Sequence, residues 1–254
     1  MLYLKSKPNK CEAHMEKIIN YENLRNFAYV NDKIVDGEIE GIVLDFFGLG
    51  CQAMYHEETD FGKYLAENNI LLVVPYNNPW AWMNKQAVSY TDEILDVLFE
   101  RYSLKENTPI VSSGGSMGGQ SALVYTRYAK RTPVACITNC PVCDLVFHFT
   151  ERVDLPRTLY SAFYNEDCTL EEALKSASPY HLAGEMPNIK YHLFHCDRDG
   201  AVNIDKHSRI FVEKMKKQGR DIEFTVVEGR DHCDLTPKAT ENYRALCRDA
   251  ILKK

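Results

Sequence analysis

The chain has 254 residues, of which 45% are hydrophobic and 26% are charged. This composition is typical of a single globular domain and excludes disorder over most of the chain. Lysine and arginine total 30 and aspartate and glutamate total 36, which gives a net charge of −6. Because nucleic acids and anionic membranes attract basic surfaces, we expect one domain over residues 1–254 that binds neither of them.

The cysteines and the amino terminus predict a compartment. Nine cysteines are spread irregularly along the chain, and an odd, irregular set favours free thiols in a reducing environment. The first residues, Met1 to Pro8, lack the apolar stretch of a secretory signal, and no apolar run approaches the roughly 20 residues of a membrane helix. We therefore expect a cytoplasmic location.

Short apolar segments alternate with longer amphipathic ones along the chain. The short segments predict buried strands at residues 42–47, 70–74, 110–113, 134–138, 191–195 and 222–227. The amphipathic segments predict helices at residues 59–68, 89–102, 120–130, 204–218 and 237–252. This alternation predicts the α/β class, with a mostly parallel sheet and helices on both faces. Before the first of these strands, residues 16–21 and 26–31 predict an antiparallel hairpin.

The alternation is interrupted between the fourth and fifth strands. Residues 144–185 are too long for a simple crossover and contain a predicted helix at residues 170–176. Nothing in this segment could form a core of its own. We therefore expect a helical cap inserted into the domain.

A glycine-rich turn separates the third predicted strand from the next helix. It reads Gly114-Gly115-Ser116-Met117-Gly118, a Gly-x-Ser-x-Gly pattern. Such a turn exposes a serine hydroxyl on strained backbone, and its glycines let the strand and the helix pass closely. The turn could instead bind phosphate, but the dinucleotide and P-loop fingerprints are absent. The pattern therefore predicts Ser116 as a nucleophile and the Met117 amide as an oxyanion donor.

A serine nucleophile needs a base, and the base needs an orienting carboxylate. Asp197 and Asp199 follow the fifth predicted strand, Asp144 follows the fourth, and His232 follows the sixth. The carboxyl ends of parallel strands meet at one edge of a sheet, where Ser116 also lies. His232 is the candidate base because the other histidines fall in strands, in helices or outside the loop after the last strand. The acid remains open among the three aspartates.

Four features together resemble a known family. They are Gly-Gly-Ser-Met-Gly-Gly, Ser178-Pro179-Tyr180 before a strand, an acid loop of the form Asp-x-x-Val, and Gly-x-x-His after the last strand. They resemble the α/β-hydrolase superfamily, and most closely the catalytic domain of the prolyl oligopeptidase family and its esterase relatives, over roughly residues 40–254. The resemblance implies an α/β-hydrolase fold, with Asp199 rather than Asp197 as the acid and His232 as the base.

The same resemblance implies a second oxyanion donor in the loop after the first parallel strand. Relatives commonly carry His-Gly there, whereas this chain carries Phe47-Gly48. We assign the donor to the amide of Leu49, with Gly48 or Gly50 as alternatives. A plain glycine turn would look the same in the sequence.

Two further features lie at predicted loop positions. Tyr76, Trp80 and Trp82 follow the second strand, where they could bind an aromatic or sugar part of a substrate or could pack against the cap. Cys140 and Cys143 form a Cys-x-x-Cys pair, for which small packed thiols are favoured over a redox or zinc role.

The sequence predicts a serine hydrolase that cleaves small carboxylic esters through an acyl-enzyme on Ser116. This chemistry needs no metal or cofactor, and its partner is a small-molecule ester. The alternative is a peptidase of the prolyl oligopeptidase type, although the chain offers no room for that family's propeller. A third possibility is a binding protein that has the scaffold without turnover. The sequence does not determine the oligomeric state.

Overall fold

A computed structural model describes residues 18–51 and 54–253. Seven strands in this part of the chain form one sheet in the order β1-β3-β2-β4-β5-β6-β7. Only β1 runs antiparallel to its neighbour, and the other pairs are parallel. The strands are β1 (Ala28–Val30), β2 (Gly41–Phe46), β3 (Ile70–Pro75), β4 (Ile110–Gly115), β5 (Ala135–Asn139), β6 (Lys190–Cys196) and β7 (Ile222–Val227).

Helices connect the strands on both faces of the sheet. They are α1 (Asp60–Ala66), α2 (Lys85–Tyr102), α3 (Met117–Tyr128), α4 (Leu145–His148), α5 (Leu155–Phe163), α6 (Leu170–Ser176), α7 (Pro179–Leu182), α8 (Ile210–Lys217) and α9 (Pro237–Leu252). Among the described residues, no helix is both long and apolar enough to span a bilayer. The fold is that of an α/β-hydrolase.

The central strands are buried on both sides because helices cover both faces of the sheet. Along β2, Ile42 and Leu44 join one apolar cluster, whereas Val43 joins the cluster on the opposite face. Successive side chains of a strand point to opposite faces, so a strand covered on both sides is apolar at most of its positions. This is why the uninterrupted apolar runs of the sequence predict these strands.

The amino-terminal part differs from its prediction. Residues 28–30 form β1, but they pair antiparallel with β3 rather than with the preceding segment. Residues 24–26 form a single turn of 3-10 helix. The predicted hairpin is therefore wrong for its described residues, while residues 16 and 17 lie outside the described part of the chain.

Helices α4–α7 occupy the predicted insertion between β5 and β6. A third apolar cluster lies between this segment and the sheet edge, and it includes Trp82, Met117, Leu145, Leu159 and Val202. Residues 144–185, which we call the cap, thus pack through this cluster against Trp82, Met117 and Val202 at the carboxyl edge of the sheet.

Candidate active site

Ser116 occupies the sharp turn between β4 and α3. Its φ and ψ angles are 59° and −125°, a combination that non-glycine residues rarely adopt. Its amide donates a hydrogen bond to the Asn139 carbonyl at 2.9 Å, and its carbonyl accepts one from the Gln120 amide at 3.1 Å. The neighbouring strand and the helix thus hold the strained turn in place.

The glycines of this turn are required by space. A Cβ atom at Gly118 would lie 1.9 Å from the Phe46 carbonyl oxygen, and one at Gly114 would lie 2.5 Å from the Gly118 carbonyl oxygen. Both clashes are with backbone, which cannot rotate away as a side chain can. Only glycine at these positions lets α3 begin directly above the end of β2.

His232 lies in the loop between β7 and α9 and reaches across the sheet edge. Its Nε2 atom is 2.9 Å from Ser116 Oγ, and its Nδ1 atom is 2.6 Å from Asp199 Oδ2. A ring that donates through Nδ1 to a carboxylate presents a lone pair on Nε2 when it is neutral. The structure therefore brings together the serine, histidine and aspartate that the sequence predicts as a set.

Asp199 is fully buried at its side chain. Its Oδ1 atom accepts hydrogen bonds from the amides of Ala201 and Val202, both at 2.8 Å, and the Nε2 atom of His195 lies 3.3 Å from its Oδ2 atom. Burial alone would raise the pKa of Asp199, but its hydrogen bonds to His195, His232 and the Val202 amide lower it well below its ordinary value. The carboxylate is consequently charged beside His232.

The other candidate acids have different partners. Asp197 Oδ1 accepts a hydrogen bond from the Gly229 amide at 2.7 Å. Asp144 caps α4 through the amides of Val146 and Phe147. Neither carboxylate has a hydrogen bond to His232 among the described residues, so the geometry selects Asp199.

The surroundings of His232 shift its pKa in both directions. Burial lowers the pKa of the ring, and the hydrogen bond to the charged Asp199 raises it, with a net result of about 9. The neighbouring Cys140 thiol also contacts the ring, but its own pKa is raised well above the ordinary range by Cys233 and by burial. Since that thiol is neutral at physiological pH, Asp199 is the charge that stabilises protonated His232.

A cleft of about 430 Å³ opens above Ser116 and His232. Residues from the sheet edge, from the loop after β2 and from the cap line it together: Gly48, Leu49, Trp82, Gly115, His148, Arg152, Val202 and Cys233. Its walls are therefore partly apolar, with one guanidinium and one additional imidazole. A cleft of this size fits a small substrate beside the serine hydroxyl.

The two amides predicted to bind an oxyanion differ in their placement. Gly48 and Leu49 line the cleft, and a Cβ atom at Gly48 would be 3.9 Å from Ser116 Cβ. Met117 begins α3, and its side chain is buried in the cluster below the cap. Within the described residues, the amides of Leu49 and Met117 donate to no protein acceptor, which leaves both N–H groups available to a ligand.

The aromatic residues after β3 separate into two groups. Trp82 lines the cleft but is fully buried, and its Nε1 atom donates to Thr158 Oγ1 of the cap at 3.2 Å. Tyr76 and Trp80 line a neighbouring cavity of about 310 Å³ instead. The structure thus places Trp82 near Ser116 and at the same time packs it against the cap.

The two polar residues that the cap contributes to the cleft are absent from the sequence-based site. His148 ends α4 and Arg152 follows it, and both lie in the cap. Glu151 Oε2 accepts hydrogen bonds from His148 Nδ1 at 2.6 Å and from His207 Nε2 at 2.9 Å, which fixes the His148 ring. No pattern in the sequence marks these positions, because only the folding of the cap over the sheet brings them to Ser116.

Three groups of side chains have metal-ligand spacing among the described residues: Cys140 with His232 and Cys233, Cys140 with His195 and Asp199, and His148 with Glu151 and His207. In the last group, both ring nitrogens of His207 are already occupied: Nδ1 accepts hydrogen bonds from the amides of Cys143 and Asp144, and Nε2 donates to Glu151. All eight described cysteines are free thiols.

Comparison with known proteins identifies the family of this chain. The profile of the prolyl oligopeptidase family matches residues 81–248, which is more than half of the chain and includes the serine turn, the acid loop and the histidine loop. The chain belongs to the prolyl oligopeptidase family. It is a serine hydrolase of the esterase or peptidase type.

Solved structures share the fold at low sequence identity. Esterase PE8 is 17% identical with a TM-score of 0.58, and the match covers 85% of this chain and 95% of that one. The Thermogutta terrifontis esterase is 20% identical with a TM-score of 0.59, covering 89% and 88%. Porphyromonas gingivalis dipeptidyl peptidase 4 is 13% identical with a TM-score of 0.67, and the match covers 89% of this chain but 33% of the peptidase. No curated protein sequence matches this chain.

Proposed function

We propose that Ser116, His232 and Asp199 form the catalytic triad of this serine hydrolase. The observation that carries the proposal is the continuous contact from Ser116 Oγ to His232 Nε2 at 2.9 Å and from His232 Nδ1 to Asp199 Oδ2 at 2.6 Å. A serine hydroxyl is a weak nucleophile, so a base within hydrogen-bond reach is the requirement that this contact meets.

The reaction follows from these contacts. Ser116 Oγ attacks the carbonyl carbon of the substrate while His232 Nε2 takes its proton. Asp199 holds the His232 ring in the correct tautomer and stabilises the imidazolium that forms. The imidazolium then protonates the leaving group, which departs and leaves the acyl group on Ser116. A water molecule, activated by the same imidazole, releases the acid and restores the serine.

We assign the oxyanion hole to the amides of Met117 and Leu49. Both N–H groups lack a protein acceptor within the described residues, and Leu49 lies on the cleft wall beside Ser116. A hydrogen-bond donor fixed at the point where negative charge develops is worth roughly 3–4 kcal/mol, as judged from the removal of a side-chain donor in another serine hydrolase. The Met117 donor also benefits from the positive end of the α3 dipole.

We propose small carboxylic esters as the substrate class. A cleft of about 430 Å³ suits a short acyl group. Esterase PE8 and the Thermogutta terrifontis esterase are matched over 95% and 88% of their lengths, and the latter structure is described as propionate-bound. We expect Trp82 and Leu49 to contact the acyl group, since both line the cleft next to Ser116.

Cleavage of short peptides is the second candidate, because the matched family is named for oligopeptidases and dipeptidyl peptidase 4 shares the fold. Hydrolysis of a p-nitrophenyl ester series from acetate to octanoate, compared with dipeptide p-nitroanilides, distinguishes the two. We expect the short esters to give the highest kcat/KM. A higher kcat/KM on the anilides would assign the protein as a peptidase.

Labelling with a fluorophosphonate probe tests the triad itself. The probe is expected to label the wild-type protein at Ser116 and to leave the Ser116→Ala variant unlabelled. The neighbouring Ser113 is buried in β4 and donates to Asp45 of β2. It is a matched control, because Ser113→Ala is expected to retain labelling. An unlabelled wild-type protein would instead support a non-catalytic binding role.

A further inference from the structure

Two cysteines flank His232 and play no part in the proposed mechanism. Cys233 Sγ lies 3.7 Å from His232 Nε2, the atom that contacts Ser116. The Cys140 Sγ, the Cys233 Sγ and a ring nitrogen of His232 all lie within 4.8 Å of one another. Cys233 also lines the cleft, so this cluster is reached from the same side as a substrate.

Backbone amides point at the sulfur of Cys140. Cys196 and Cys233 donate to Cys140 Sγ at 3.3 Å and 3.4 Å. The metal-free thiol is neutral, because Cys233 and burial raise its pKa. A metal binds the thiolate form, and the two N–H donors compensate part of the negative charge that this form carries once Zn²⁺ displaces the proton. The arrangement supplies the outer hydrogen bonds that orient a metal ligand.

Both thiol-bearing residues are held in strained backbone conformations. Cys140 and Cys233 have φ angles of 46° and 57°, in the left-handed region that residues other than glycine seldom occupy. Backbone strain of this kind is concentrated at functional sites. Cys140 is tied to β6 by its amide, which donates to the Phe194 carbonyl at 2.8 Å. The hydrogen bond to β6 thus holds the backbone of Cys140 in this conformation.

The spacing matches the coordination sphere of zinc. Bond lengths of about 2.3 Å to sulfur and about 2.05 Å to nitrogen, at a tetrahedral angle, place a sulfur and a nitrogen ligand about 3.6 Å apart. The distance from Cys233 Sγ to His232 Nε2 is 3.7 Å. Two thiolates and one imidazole form a ligand set that prefers Zn²⁺ over Mg²⁺ or Ca²⁺.

We propose that Cys140, Cys233 and His232 form an inhibitory binding site for Zn²⁺. Binding exchanges protons for metal: two thiols and one Zn²⁺ give a dithiolate complex and two protons, with the lone pair of His232 Nε2 as the third ligand. That lone pair is then unavailable to Ser116. Metal binding itself depends only on the cluster, whereas its inhibitory effect depends on the proposed role of His232 as the base.

Metal titration of the purified protein tests this site in two independent ways. Zn²⁺ is expected to inhibit p-nitrophenyl acetate hydrolysis, and EDTA is expected to restore the rate. For Cys233→Ser and Cys140→Ser, each normalised to its own metal-free rate, we expect the half-inhibiting Zn²⁺ concentration to rise at least about tenfold. Cys168→Ser removes an exposed thiol outside the cluster and is expected to match the wild type.

Cobalt provides a readout that does not require activity. Co²⁺ is expected to give a sulfur-to-metal charge-transfer band in the wild type and in Ser116→Ala, and to lose most of it in Cys233→Ala. Circular dichroism shows whether each variant folds. If Cys233→Ser or Cys140→Ser does not fold, the corresponding alanine variant, Cys233→Ala or Cys140→Ala, is used in the Zn²⁺ titration instead.

Absence of the charge-transfer band in the wild type would overturn the site. A band in the wild type without inhibition by Zn²⁺ would overturn ligation by His232, and equal inhibition of the cysteine variants would overturn the thiol ligands.

Discussion

The Oδ1 atom of Asp197 accepts a hydrogen bond from the amide of Gly229 at 2.7 Å. This bond joins the loop after β6 to the loop after β7. The Asp197 carboxylate therefore binds a backbone amide and not the His232 ring. Two residues further along the chain, Asp199 turns inward and contacts that ring. One loop therefore contains a carboxylate that connects two loops and a carboxylate that contacts the ring of the proposed base.

This division of roles predicts different effects for two matched substitutions. Asp199→Asn places an amide nitrogen or a neutral oxygen beside His232 Nδ1, which removes the charge and favours the wrong tautomer, so we expect a loss of about 10⁴-fold in kcat. Asp197→Asn keeps an oxygen that can accept the Gly229 amide, so we expect a change of less than about threefold. Steady-state kinetics on p-nitrophenyl acetate measures both, and equal losses would mean that the acid is assigned wrongly.

Ser116→Ala is expected to abolish turnover and to leave the fold intact. The lost hydroxyl takes part in one side-chain contact among the described residues, with His232, so its removal leaves the packing unchanged. Loss of a nucleophile typically lowers the rate by several orders of magnitude. The measurements are kcat/KM and the melting temperature. A variant that keeps more than about a tenth of the activity, a difference of ~1.4 kcal/mol, would contradict the assignment.

The glycines of the serine turn predict a stability effect that is separate from chemistry. Gly118→Ala places a Cβ atom 1.9 Å from the Phe46 carbonyl oxygen, so the start of α3 must move away from β2. We expect a loss of about 1–3 kcal/mol in the free energy of unfolding, measured by urea denaturation. Gly184→Ala is the control, because its Cβ would meet no atom closer than 4.0 Å, and a comparable loss there would remove the steric explanation.

The sequence predicts the sheet well because its central strands are covered on both faces. Residues such as Val43 and Leu44 are both apolar although they point in opposite directions, and this uninterrupted pattern marks β2. The strand β1 has three residues, too few for any pattern, and its pairing with β3 depends on contacts between residues more than 40 positions apart. The predicted hairpin was wrong because local alternation does not reveal a distant partner.

In the candidate site, too, the sequence reveals the residues marked by a local pattern and misses those placed by tertiary packing. Ser116 and His232 are predictable because each follows a strand and has few rivals in the chain. The contribution of His148 and Arg152 is not, since the cap brings them to the cleft through tertiary packing. Tyr243 is a similar case: its hydroxyl accepts the Gly114 amide at 3.0 Å and so supports the serine turn from α9.

The pH dependence of the rate follows from the position of His232. As the proposed general base, His232 must be neutral before Ser116 attacks, and the charged Asp199 holds the pKa of the ring above the ordinary value, at about 9. We therefore expect kcat/KM to rise with pH with a logarithmic slope near one through neutrality and to level off near pH 9. The profile is measured from the release of p-nitrophenol, followed at the wavelength where p-nitrophenol and p-nitrophenolate absorb equally. The rate of spontaneous ester hydrolysis is subtracted at each pH.

Asp231 provides the control for the pH profile because it directly precedes His232 in the chain. Its Oδ1 atom accepts the His232 amide at 2.7 Å and the Gly200 amide at 3.3 Å, so its carboxylate organises the backbone instead of contacting the ring. An asparagine oxygen can accept both bonds, and Asp231→Asn is expected to leave the acid limb within about half a pH unit. Asp199→Asn is expected to lower the rate across the whole profile, since the base loses both its orientation and its charge partner. If Asp231→Asn lowered the rate across the profile and Asp199→Asn did not, Asp231 would be the acid partner of His232.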